Sequence, residues 1–194
     1  DCFDQSIRLP SFRHFLFTMY TADIKPVERH FLPKDFTVTT WEALEPYFQQ
    51  LLDRSLDNTA ALEQWLKDSS ELEAIISEDA CWRQVRMTCD TENKELEEAF
   101  NYFYMEIAPK MQPYSDKLNR KLVDCPLTTA LDHDKYFTYL RSIKRNIELF
   151  REENIPILAE MNVMQQQFGQ IAGKMTVDIN GKEYTLQQAA KFLE

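Results

Sequence analysis

Residues 136–186 read YFTYLRSIKRNIELFREENIPILAEMNVMQQQFGQIAGKMTVDINGKEYTL, and this stretch decides the fold. Leu140, Ile143, Ile147 and Phe150 recur at steps of three and four, the spacing that places side chains on one face of an α-helix. Asn154-Ile155-Pro156 interrupts the pattern, and Pro156 suits a first helical turn, where its missing N–H costs nothing. Ile157, Met161, Met164, Phe168 and Ile171 then repeat the spacing. Two such stripes on either side of a short joint predict an antiparallel helix pair packed face to face. Thr176–Ile179 and Lys182–Thr185 flank Asn180-Gly181, a dipeptide that accepts positive φ at both turn positions, so 176–185 reads as a β-hairpin. The expected fold is mainly α: a multi-helix antiparallel bundle with one C-terminal hairpin.

The rest of the chain extends the helical pattern. Thr39-Thr40-Trp41-Glu42 has the form of a capping box with Thr39 as the cap. Leu44, Tyr47, Phe48, Leu51 and Leu52 form one side of the helix that follows, with Pro46 marking a kink or a later start. Asp57-Asn58-Thr59 separates it from a second helical region, 60–88, in which Leu62, Trp65, Leu66, Leu72, Ile75 and Ile76 keep the period. Asp68-Ser69-Ser70 is expected to interrupt that region, because these side chains compete for backbone hydrogen bonds. After a break at Asp90-Thr91, Leu96, Ala99, Phe100, Phe103, Tyr104 and Ile107 form an aromatic-rich face. Pro109 and Pro113 should kink or divide this helix before Tyr114, Leu118 and Leu122 resume it. Thr185 to Gln188 is a second capping box, and the helix it opens reaches Glu194 without a C-cap, which reads as a fragment. Residues 1–24 show no period and read as a leader, with Met19 a candidate start. The expected organisation is this leader, a helical domain over 25–174, and a hairpin with the start of a helix over 175–194.

Composition narrows the function. The chain has 194 residues, 44% of them hydrophobic, only 3 glycines and a formal net charge of -10. A nucleic-acid backbone is excluded as a partner, since it requires clustered Lys and Arg. No apolar run approaches the ~20 residues of a membrane span. Cys81 and Cys89 fall roughly 12 Å apart along a helix, too far for a disulfide, and with Cys2 and Cys125 they read as unpaired thiols of a reducing cytoplasm.

No active site emerges from residue chemistry. His14, His30 and His133 include no pair at the four-residue spacing that sets two imidazoles on one helical face for zinc. Glu95, Glu97 and Glu98, and Glu152 with Glu153, would need a cleft to serve as acid and base, and otherwise read as solvated faces. Asp178 reads as a surface residue. Arg141, Lys144, Arg145 and Arg151 form the densest basic cluster, either a carboxylate site or a helix exterior in which Arg145 pairs with Glu148. Trp41, Trp65 and Trp82 are expected in the core or at helix seams, and Cys81 and Cys89 as buried small hydrophobes. The edges of the 176–185 hairpin are the candidate functional surface, able to add an extended peptide as a further strand, unless the hairpin packs within its own protein.

Several stretches together carry a resemblance. Trp65-Leu66-Lys67-Asp68-Ser69-Ser70-Glu71-Leu72-Glu73-Ala74, Arg86-Met87-Thr88-Cys89-Asp90-Thr91, Ile147 through Pro156 and Gly181-Lys182-Glu183-Tyr184-Thr185-Leu186 stand in one order with Phe31-Leu32-Pro33. Over about 25–194 the chain resembles the N-terminal part of the oligoendopeptidase F-like zinc metallopeptidases, relatives of thimet oligopeptidase. The resemblance implies a helical enzyme enclosing a channel, with short peptides as substrates. It also implies a zinc ion held by an HExxH helix and a downstream glutamate, none of which this chain contains. No catalytic or metal position is carried over, and residues 1–194 alone are expected to be inactive. The alternatives are a stand-alone helical peptide-binding or adaptor module and an oligomeric helical scaffold.

Overall fold

The computed structural model describes residues 28–193. The chain divides into two units, 1–30 and 31–194, and the fold that follows is that of the second. The expected leader 1–24, with Met19, His14 and Cys2, lies outside the described residues.

Helix α1 spans Trp41–Asp53, and Thr40 caps it by accepting the Ala43 N–H. The start is thus one residue later than the capping-box reading placed it, which puts Trp41 on the inner face. Leu44, Phe48 and Leu51 follow on that face, and the helix runs on through Pro46. Asn58 caps α2, Thr59–Cys89, by accepting the Ala61 N–H. The interruption expected at Asp68-Ser69-Ser70 does not occur. Asp68 and Ser69 are buried, and Asp68 takes hydrogen bonds from Arg54 and Gln64 instead of competing for the backbone.

Helix α3, Lys94–Tyr102, passes into a π-helical turn at Phe103–Ile107, where the Ala108 N–H reaches back five residues to the Phe103 carbonyl. Pro109 thereby falls in the first turn of α4, Ala108–Asp124, where its missing N–H costs little. The division expected near the prolines is this π turn. A 3-10 turn at Pro126–Ala130 leads to α5, His133–Leu149, capped by Asp132, and α6 follows over Asn154–Lys174. Strands β1, Thr176–Ile179, and β2, Lys182–Thr185, pair antiparallel through Asn180 at φ 58 and Gly181 at φ 78. Thr185 and Gln188 form the expected capping box of the short helix α7, Leu186–Ala189.

The core gathers around α1 and α2. Trp65, Leu44, Leu51, Leu62 and Leu72 are fully enclosed there, and Ile107 and Leu122 close it from the far side. Trp41 packs against Phe48 at 5.7 Å and Tyr114 at 5.0 Å between ring centroids, joining α1 to α4. Helix α5 turns Ile143 inward, with Tyr136, Leu140 and Ile147 half-buried beside it against α4. The face-to-face pairing expected of α5 and α6 is absent. Helix α6 instead packs on α4 and the π turn, and it does so with the side opposite its apolar stripe.

Candidate functional site

At 100° per residue, Ile157, Met161, Met164, Phe168 and Ile171 occupy one side of α6, while Ile155, Ala159 and Gln166 occupy the other. The second set is buried and the first is open, with Phe168 71% and Met164 65% exposed. The helix therefore shows its apolar face outward and a partly polar face inward. The inner face meets α2 through Gln166, whose Nε2 lies 3.7 Å from the Met87 sulfur while its Oε1 is buried without a partner. Around this contact is a hollow of about 350 Å³ lined by Gln84, Thr88, Asn162, Gln165 and Gln170. Glu97 stands near it, and the Gln170 amide, followed by Lys94 and Gln166, holds its carboxyl below the usual range.

A second hollow, about 300 Å³, lies along the first turns of α5. Its wall is built at steps of four: the His133 ring lies 4.8 Å from the Phe137 ring, and the Arg141 guanidinium sits 5.6 Å from the centre of that same ring. Lys144 lines the same hollow, as do Leu131, Leu140 and Asp132.

A third feature joins α2 to α5. Burial raises the Glu73 carboxyl above its ordinary value, and burial together with Glu73 pushes the Tyr139 phenol up to about 12. Both side chains keep solvent-facing area, so these shifts reflect crowding by the surrounding protein and not enclosure.

The candidates read from sequence are dispersed. His133 is exposed, with Asp134 3.5 Å away, and His30 belongs to the other unit. Glu95, Glu98, Glu152 and Glu153 are solvated, while Glu97 is half-buried. Asp178 is exposed but accepts the Gly181 N–H, and so builds the hairpin turn. The basic cluster divides: Arg141 and Lys144 line the α5 hollow, and Arg151 donates to the carbonyls of Glu148 and Phe150. The expected Arg145–Glu148 ion pair is absent among the described residues. Trp41 and Trp65 are buried as expected, but Trp82 is 52% exposed. Cys81 and Cys89 are exposed as well, because the outer half of α2 runs beyond the core; Cys125 is buried. Among the described residues no group of three or more His, Cys, Asp or Glu stands together as a metal site.

Sequence reasoning missed Lys121, Gln166, Glu73 and Tyr139. Lys and Gln carry no local signal of burial, since only the partner helix turns them inward. The Glu73–Tyr139 approach joins residues far apart in the chain.

The family model for the Peptidase M3 N-terminal domain matches residues 31–150, which takes in α1 through α5 and both sides of the α5 hollow. No curated protein and no solved structure matches the chain.

Proposed function

Because the chain belongs to the Peptidase M3 family through its N-terminal domain, we propose that it is the helical, channel-wall part of a zinc-dependent oligopeptidase that hydrolyses short peptides. The observation that carries this reading is the outward apolar face of α6. Soluble monomers rarely expose apolar patches beyond a few hundred Å², and such a face marks where another body packs. The catalytic part of the same enzyme is the occupant that the family membership supplies.

In this reading the zinc would be held by that other part. The chain contains no HExxH, and the described residues bring no third ligand to His133 and Asp134. In this reading the chain's share is to bind and orient peptide. A cytoplasmic location is part of this proposal, and the free thiols at Cys81, Cys89 and Cys125 are compatible with a reducing compartment.

Hydrolysis of a fluorogenic short peptide tests the reading. Residues 1–194 with added zinc should give no turnover. The product of the whole reading frame should turn the peptide over, lose activity to a chelator and regain it with zinc. Turnover by 1–194, or a whole-frame product without metal-dependent peptidase activity, would overturn the proposal.

A further inference from the structure

The α5 hollow has a chemistry that its surroundings do not use. Several described cations of this acidic chain are engaged elsewhere. Arg54 pairs with Asp68, Arg83 with Asp79, Arg120 with Asp116, and Lys121 donates to three backbone carbonyls. Arg141 and Lys144 have no carboxylate partner among the described residues. Arg141 instead lies 5.6 Å from the centre of the Phe137 ring, a cation–π contact that satisfies none of its N–H donors with an acceptor oxygen. Phe137 itself is 47% exposed beside the hollow. A guanidinium favours bidentate pairing with a carboxylate, a neighbouring ammonium adds charge, and an exposed ring with Leu140 offers an apolar surface beside them.

The acidic groups nearby do not occupy the two cations. Asp132 accepts the Lys135 N–H as the cap of α5, and Asp134 faces His133. Glu63, across from the same helix, receives the Tyr136 hydroxyl at 3.5 Å. The hydroxyls of Thr128 and Thr129, also on the wall, donate to the carbonyls of Cys125 and Pro126.

We propose that this hollow binds the C-terminal carboxylate of a peptide whose last side chain is apolar, with Arg141 and Lys144 taking the carboxylate and Phe137 the side chain. The choice of a peptide as the carboxylate source rests on the peptidase reading. Binding itself is measured on this chain without hydrolysis, so its failure is separable from failure of the zinc assay.

The test is titration of the full chain, followed by amide NMR shifts of residues 128–144, with N-acetyl-Ala-Ala-Phe as free acid and as C-terminal amide. The acid should bind at least about tenfold more tightly than the amide, the loss expected for hydrogen bonds to a charged group. Arg141→Gln should remove that preference, and Lys144→Gln should weaken it. Both positions are exposed, so a thermal melt matching the parent is expected and establishes that the variants are folded. Equal binding of acid and amide, or an acid preference unchanged in both variants, would overturn the proposal. Inorganic phosphate and N-acetyl-Phe serve as comparison probes. Phosphate binding as tight as the tripeptide acid would reduce the site to a general anion site and also overturn it, whereas N-acetyl-Phe binding more weakly than the tripeptide supports a peptide source.

Discussion

Lys121 shows what one side chain can hold. Its ammonium donates to the carbonyls of Leu51, Leu52 and Arg54 at 2.9, 2.6 and 2.5 Å, and the Trp65 indole donates to Leu51 at 2.9 Å. These are carbonyls that the end of α1 leaves without helical partners. Lys121→Met keeps the length of the chain but removes the donors, and should cost about 1–3 kcal/mol in a denaturant melt. Glu73 works in the opposite sense. Its pKa is raised in the folded chain, so the folded state holds its proton more tightly than the unfolded state does. Stability from this group is present below about pH 4.5, the ordinary value, and is lost as pH rises through the folded pKa. Glu73→Gln should therefore raise the melting temperature at pH 7 relative to the parent and make no such difference at pH 4. A larger gain at pH 4 than at pH 7 would contradict this assignment. Neither residue was legible in the sequence, where a lysine and a glutamate on helices read as solvated.

Elements were more legible than their surroundings. The hairpin follows from Asn180-Gly181 alone, because few other dipeptides accept positive φ twice. Its strands pair with each other and lie against α7, and among the described residues they are mostly exposed. Gly181→Ala puts a side chain into a left-handed conformation at roughly 1–2 kcal/mol. That cost should fall on the hairpin, read as faster amide exchange over 176–185, and the main melting transition should not move. The break at the prolines was legible, but its form was not. A proline removes one N–H, while the choice of a π turn depends on where Phe103 and Ile107 must sit, and both are buried. Asp68 marks the same limit: an Asp-Ser-Ser run signals a break only until Arg54 arrives from another segment to satisfy the carboxylate.

For the whole molecule, periodicity located both apolar stripes and could not say which way either one points. The α5 stripe lies against the core, and that of α6 faces out, because the period of a helix carries no information about its neighbours. Exchanging that face for polar groups, as in Met164→Gln with Phe168→Glu, should reduce binding of a hydrophobic dye and leave stability within about 0.5 kcal/mol, as for surface positions generally. A loss of several kcal/mol would mean that the face is packed. Family membership depends on collinear stretches rather than on any site, which is why it was visible from the sequence while the α5 hollow was not. The π turn has one more consequence, for how the chain tolerates changes in length. A turn that closes five residues back holds one residue more than an α turn. Losing the exposed Met105 would let α3 and α4 join as ordinary helix, with Leu118 and Leu122 still facing the core. Losing one residue within α4 itself would swing everything beyond it by about 100°. The place where this helix is least regular is thus the place where a deletion does least harm.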